Sequence, residues 1–249
     1  MLTQDNNIQL PSLREKEDDV PVITGDIMEE LKILMQHSQA FQEMQMMYAC
    51  AIREVRTKAE VLNDEMSVRY HRNPISSISS RVKKPESIIE KLHRRGFPIS
   101  VKSVRENLYD VAGIRVICSF VDDIYTVAEM LARQDDINVL MVKDYIRCPK
   151  VNGYRSYHMI IEVPVFFSDR KENMRVEVQI RTIAMDFWAS LDHQMKYKKD
   201  VEDANEISEE LKECAEVIAQ TDLKMLGLRR KIEERENNDT LLQFDKDPM

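Results

Sequence analysis

Two acids stand where a strand could present them to phosphate. Asp110 heads the run Asp110-Val111-Ala112-Gly113-Ile114-Arg115-Val116. A carboxylate at a strand end, followed by small residues and an arginine, suits metal-bound phosphate, although Asp is also a common turn residue. Glu177 lies in Met174–Arg181. Side chains of a strand alternate, so Val176, Val178 and Ile180 share one face and Arg175, Glu177, Gln179 and Arg181 the other. Such a polar face either meets solvent or floors a cleft. A third cluster is Asn152-Gly153-Tyr154-Arg155-Ser156-Tyr157-His158. Its tight turn presents an aromatic ring for stacking and a guanidinium for phosphate, or else is a plain hairpin with a surface tyrosine. His158 opens the strand that follows. Further on, Asp186, Ser190, His193 and Tyr197 form one polar helical stripe, with Trp188, Leu191 and Met195 on the buried one.

Charge is unevenly placed around these residues. The chain of 249 residues carries a net charge of −8, with 43% hydrophobic and 32% charged residues. Residues 69–115 nevertheless hold 11 bases against 4 acids, a net of 11 − 4 = +7. A basic block inside an acidic protein marks a local anion site or a solvated face, not a nucleic-acid coat. The 5 glycines are too scattered for a GxGxxG or GxxxxGK[ST] loop. The 4 cysteines lie far apart without a CxxC pair, which excludes the usual zinc finger and a disulfide-dense module. No apolar run reaches the roughly 18 residues of a membrane span, and no secretory signal opens the chain. These features predict a cytoplasmic protein with reduced thiols and no membrane partner.

The elements that must position the clusters are legible in outline. Residues 1–20 are acidic and Pro-punctuated, a flexible tail. From Asp26 to Asn73 no Pro or Gly occurs, and Ile27, Leu31, Leu34, Phe41, Tyr48, Ile52, Val55, Ala59, Leu62 and Met66 recur at three- and four-residue steps. That predicts a helix of about 40 residues, roughly 60 Å long, part of it meeting another subunit. After Pro74 a Ser-rich stretch leads to Arg81-Val82-Lys83. Pro85 and Gly96 bracket a short helix from Ser87 to Arg95. A further short helix spans 103–109, then come a strand from Gly113 to Val121, a helix from Asp122 to about Gln134, and strands at 137–146, 157–167 and 174–181. Thr182 is placed to cap a helix running to about Tyr197. A last helix runs from about Asp203 to Glu236, with Ile207, Leu211, Cys214, Ile218, Met225, Leu228 and Ile232 as a heptad-like stripe. The order is helical, then mixed α/β, then helical.

Five segments in order resemble one family. They are Arg81-Val82-Lys83 with Ser87 and Lys91; Asp110 to Arg115; Asn152 to His158; Val176-Glu177-Val178-Gln179-Ile180-Arg181-Thr182; and Trp188-Ala189-Ser190-Leu191-Asp192-His193. Over about residues 21–200 they are similar to the RelA/SpoT synthetase domain, and the short chain is similar to the small alarmone synthetases of the RelP or RelQ type. The resemblance implies a nucleotidyltransferase-like α/β core with a mixed sheet of about five strands flanked by helices. It implies a (p)ppGpp synthetase, transferring the β,γ-diphosphate of ATP to the 3′-hydroxyl of GDP or GTP with release of AMP. Asp110 and Glu177 would be the catalytic acids and hold Mg²⁺, Glu177 either as metal ligand or as base toward the 3′-hydroxyl. Arg81 and Arg115 would sandwich the adenine, and Lys83, Ser87, Lys91 and Arg94 would hold the ATP phosphates. Tyr154 would stack on guanine, Lys150, Arg155 and His158 would line the acceptor site, and Gln179 and Asp186 would support it. The family usually has Glu where this chain has Asp192. Residues 201–249 would form an oligomerisation helix and tail, giving a homotetramer through the terminal helices.

Two rival readings remain, a same-fold toxin and an oligomeric regulator of another class. A toxin that pyrophosphorylates tRNA 3′ ends would want an extended basic surface, which the acidic ends oppose. A catalytically inactive nucleotide- or RNA-binding regulator would have no need of Asp110 and Glu177. A hydrolase activity is not expected, because the chain has no His-Asp dipeptide.

Overall fold

A computed structural model of the chain describes residues 38–197 and 204–244. The acidic stretch 1–20 and the first turns expected of the long N-terminal helix, with Ile27, Leu31 and Leu34, lie outside the described residues. Helix α1 (Gln39–Tyr70) opens at Ser38, whose side chain accepts from Phe41 N. It leads into strand β1 (Ile75–Val82), helices α2 (Pro85–Arg94) and α3 (Val101–Asn107), and strand β2 (Ala112–Cys118). Helix α4 (Val121–Ala132) follows, then β3 (Asn138–Asp144), β4 (Tyr157–Phe166) and β5 (Lys171–Thr182). Helices α5 (Ile183–Tyr197) and α6 (Ala204–Phe244) close the described chain.

The 5 strands form one mixed sheet in the order β1-β2-β5-β4-β3. β2 and β5 run parallel at its centre, and every other pairing is antiparallel. One sheet face carries Ile114, Val116, Met159, Ile161, Val176, Val178 and Ile180, all buried. Helices α1 and α4 cover it with Phe41, Met44, Tyr48, Ala51, Val55, Ile124, Val127 and Leu131. Burying such side chains contributes about 1.5–3 kcal/mol each, which makes this layer the main source of stability. The described part of the α1 stripe, from Phe41 to Met66, is buried within the monomer. This stretch therefore needs no second subunit to cover it.

The Ser-rich stretch after Pro74, for which the sequence predicts no element, is a strand. Its apolar residues, Ile75, Ile78 and Val82, do not keep a period of two. A register shift between Ile75 and Ser77 restores it. With one extra residue inserted, Ile75 opposite Cys118, Ile78 opposite Val116 and Val82 opposite Ala112 all turn to the core, while Ser79 and Arg81 turn to the other face. As an edge strand, β1 tolerates serines that a central strand would not.

Helix α6 lies against the core along a line unlike the expected stripe. Ala215, Asp222 and Leu226 are buried, and Arg229 follows them on the same side. Trp188 Nε1 donates to Leu211 O at 2.7 Å, Thr182 Oγ1 to Asp222 at 2.7 Å, and Arg229 pairs with Asp122. Polar ties thus dock the helix. Met225, Leu228 and Ile232 of the heptad-like stripe stay at least half exposed, at 50%, 53% and 57%.

Candidate active site

The sheet face opposite the core is polar. Strand pairing sets Arg81 beside Gly113, Gly113 beside Glu177, and Arg115 beside Gln179, which in turn lies beside His158. Asp110 sits just before β2, at the end where Lys83 leaves β1, and Lys83 N donates to Val111 O at 2.7 Å. Helix α2 begins with Pro85 and ends at Gly96, whose φ of +68° is the left-handed turn that glycine accepts most readily. Steps of four and three put Ser87, Lys91 and Arg94 on one side of that helix. The short helix thereby brings Lys91 to Asp110.

Asp110 is held by two lysines. Lys83 Nζ and Lys91 Nζ both lie 2.7 Å from its Oδ2. Burial alone would raise the carboxyl's pKa, but the hydrogen bonds and charges of the two lysines outweigh it and keep the group below its ordinary range. Burial also lowers Lys91, against the pull of Asp110. The other oxygen, Oδ1, is buried and has no hydrogen-bond partner among the described residues. A buried carboxylate oxygen without a donor is unsatisfied unless a cation or ligand meets it.

Glu177 has different company. Gln179 Nε2 donates to its Oε2 at 3.0 Å, and His158 Nδ1 lies 3.5 Å from Oε1. Burial pushes its pKa up, the contact with His158 and then Gln179 pulls it down, Asp110 opposes, and the net is downward. Gly113, three residues beyond Asp110, pairs with Glu177, so the two acids stand near the same end of the parallel pair.

The turn carrying Tyr154 is built locally. Gly153 has φ +84°, Gly153 N donates to Lys150 O at 2.8 Å, and Tyr154 N donates to the Asn152 side chain at 3.3 Å. The turn seats on α6, where a Cβ on Gly153 would meet that of Ala215 at 2.6 Å. The Tyr154 hydroxyl lies 2.8 Å from His158 Nε2, and Lys150 Nζ sits 4.6 Å from the ring centroid. Tyr145 meets the Tyr154 ring edge-on, at 6.0 Å between centroids.

The structure thus gathers Lys83, Lys91, Asp110, Glu177, Gln179, His158, Tyr154 and Lys150 in one region, with Ser87 and Arg94 on the facing side of α2. Arg115 and Asp186 join through an ion pair of 3.2 Å. Arg81 is exposed on β1, diagonal to Arg115 across the strand pair. Arg155 is differently engaged. It donates to Gly153 O, Ala215 O and Glu216, at 3.1, 3.2 and 2.9 Å, so it ties the turn to α6. Sequence reasoning passed over three participants. Buried Arg181 contacts Ser156, Asp186, Tyr154 and Gln179. Its signal was its place on the polar face with Glu177 and Gln179. Tyr145 had no signal. Asn152 Nδ2 approaches buried Asp192 at 3.5 Å, which gives the residue that departs from the usual Glu a contact with the turn.

Two acids, one on a strand and one just before its parallel neighbour and clamped by lysines, beside a turn with a stackable ring are the equipment of an enzyme that handles nucleoside polyphosphates. The comparisons with known proteins agree. The family described as a region found in RelA / SpoT proteins matches residues 80–202. GTP pyrophosphokinase YwaC of Bacillus subtilis is 43% identical over 206 residues, 83% of this chain and 97% of that protein. GTP pyrophosphokinase YjbM of the same organism is 34% identical over 187 residues, 75% of this chain and 87% of that one. The crystal structure of small alarmone synthetase 2 from B. subtilis superposes with a TM-score of 0.70, at 43% identity over 78% of this chain and 100% of that chain. Small alarmone synthetase 1 from B. subtilis, bound to its product pppGpp, gives 0.71 at 31% identity, covering 79% of this chain and 100% of that one. The chain belongs to the small alarmone synthetases, the GTP pyrophosphokinases that share the RelA/SpoT synthetase region.

Proposed function

We propose that this chain synthesises (p)ppGpp by moving the β,γ-diphosphate of ATP onto the 3′-hydroxyl of GDP or GTP. The observation that carries the residue assignment is the buried, unpartnered Oδ1 of Asp110 beside Glu177 and two lysines. Among the described residues no group of three or more His, Cys, Asp or Glu side chains is placed to hold a metal by itself. That suits Mg²⁺, which is commonly bound by one or two carboxylates together with substrate phosphates. When bound, the ion would neutralise charge developing on the transferred diphosphate. Asp110 offers it Oδ1, and Glu177 is the neighbouring acid.

The other groups divide between the two nucleotides. Arg81 and Arg115 are diagonal on one face of an antiparallel pair, where Cα atoms stand about 7–8 Å apart. That spacing fits one aromatic base between two guanidinium planes. Lys83, Ser87, Lys91 and Arg94 face the ATP phosphates as donors. Tyr154 offers its ring to guanine, with the Lys150 ammonium making way. His158, Gln179 and Asp186 order the acceptor side, and Arg155 serves there by anchoring the turn. The 3′-oxygen attacks the β-phosphorus, the bond from that phosphorus to the α,β-bridging oxygen breaks, and AMP leaves. The 3′-hydroxyl proton passes to Glu177. With little covalent work for the protein, rate comes from positioning and charge stabilisation.

Chromatography after incubation with ATP, MgCl₂ and GDP tests this reading. AMP and a guanine nucleotide with two more phosphates are expected in equal amounts, and chelation by EDTA should stop both. Transfer to tRNA with no AMP above the GDP-free control would replace this reading by the toxin one.

A further inference from the structure

The polar face holds a buried cation that the reaction above leaves unused. Arg181 is 4% exposed, and all its contacts are within the protein. Its Nε donates to Ser156 Oγ at 3.3 Å and its Nη1 to Asp186 Oδ1 at 3.1 Å. Its Nη2 donates to the Tyr154 hydroxyl at 2.5 Å and to Gln179 Oε1 at 3.0 Å. A guanidinium only donates. Both partners of Nη2 are therefore acceptors toward it, and this settles the sense of everything beyond them.

The consequence runs along two branches. On one, the Tyr154 oxygen accepts from Arg181, and its own proton is left for His158 Nε2 at 2.8 Å. Nε2 then accepts, so the proton of the neutral ring sits on Nδ1, the nitrogen 3.5 Å from Glu177 Oε1. On the other, the Gln179 oxygen faces Arg181, so its amide nitrogen is the atom turned to Glu177 Oε2 at 3.0 Å. Both carboxylate oxygens of Glu177 thus face donors, and one buried guanidinium orients both. The His158 contact is long, as catalytic contacts often are before substrate closes the site.

We infer that Arg181 is a positioning residue for Glu177, acting through Tyr154 and His158 on one oxygen and through Gln179 on the other. The Tyr154 hydroxyl thereby has a task separate from that of its ring. Each carboxylate oxygen keeps a lone pair, so the group is aimed without being blocked. The inference rests on the reading of Glu177 as the proton acceptor.

Because Arg181 is buried and its replacement endangers the fold, the test cuts one branch further along. Tyr154→Phe keeps the ring and removes the hydroxyl. It is expected to lower kcat about tenfold while KM for GDP and for ATP stays within about twofold, tenfold being about 1.4 kcal/mol. His158→Asn keeps a nitrogen donor near the place of Nδ1 and ends the dependence on Tyr154. In that background Tyr154→Phe should cost less than about twofold, because coupled residues are non-additive. An unchanged kcat in the single variant, a rise in KM alone, or the same loss in both backgrounds would each overturn the inference. Nitrogen-15 NMR of histidine-labelled protein, with His158 assigned through His158→Asn, separates this failure from failure of the reaction. The wild type should show His158 protonated on Nδ1 whether or not it turns over, and Tyr154→Phe should lose that preference. An Nε2–H tautomer in the wild type would contradict the inference, whereas an inactive wild type with the Nδ1–H tautomer would sink only the reaction.

Discussion

Asp110, just before β2, and Glu177, on the neighbouring parallel strand β5, are surrounded differently. Lysines hold Asp110, and a histidine and an amide hold Glu177. Losing either charge should remove a stabiliser that the reaction needs. Asp110→Asn and Glu177→Gln preserve shape, and each is expected to lower kcat by at least about 10²-fold, the scale of one lost electrostatic contact. Steady-state kinetics with saturating ATP and Mg²⁺ measures this, and a rate like the wild type in either variant would show its role to be misassigned. Tyr154→Ala removes the ring and should weaken the acceptor by about 1–3 kcal/mol, the range for base–aromatic stacking. It would appear as a raised KM for GDP with KM for ATP unchanged. That both acids, the lysines and Tyr154 belong to one candidate site was readable, since each stands in a distinctive string. The contacts of Arg155 and Arg181 were not. Both are arginines on the right segment, but one turns to a helix 60 residues later in the chain and the other turns inward under the site. Contacts of that range are invisible to local spacing.

At the scale of elements, β2 and β4 were plain as apolar, β-branched runs, and β5 and α4 by their periodicity. β5 alternates apolar and polar residues, and α2 carries its own punctuation in Pro85 and Gly96. β1 was hidden by its bulge, since one inserted residue breaks the period on which strand recognition depends. The helix α6 was plain as a helix, yet its inward line was not. That line carries Asp222 and Arg229, which bond to Thr182 and Asp122, and the more apolar stripe beside it faces out. Burial raises the Asp222 carboxyl above its ordinary pKa, and the bond from Thr182 offsets only part of this. A raised folded-state pKa means the charged form is disfavoured by folding. The cost is absent below the ordinary carboxyl range, grows as pH climbs toward the raised value, and is full above it. Asp222→Asn can still accept from Thr182, so it should raise Tm at pH 8 and leave it unchanged near pH 3. Calorimetry at the two pH values checks this, and a gain that is equal at both would contradict it.

At the scale of the molecule, the exposed stripe of α6 is the surface most in need of a partner. Met225, Leu228 and Ile232 recur at steps of three and four, and Val217 adds to them upstream. Exposed apolar surface of this kind marks association sites, and symmetric closure is the common solution. A homotetramer through this helix is the expected assembly, near four times 29.2 kDa by light scattering. Leu228→Glu should lower that mass without touching the polar sheet face, whereas a wild-type monomer at micromolar concentration would contradict the assembly. Among the described residues no helix is long and apolar enough to cross a membrane.

The proposed reaction moves two phosphates as one unit, and following the β-phosphorus tests that most directly. With ATP labelled at the β-phosphorus, Mg²⁺ and GDP, the label should move wholly to the guanine nucleotide, with one unlabelled AMP formed for each labelled product. Label retained on the adenine nucleotide as ADP would mean that only the γ-phosphoryl group moves, and would contradict the account.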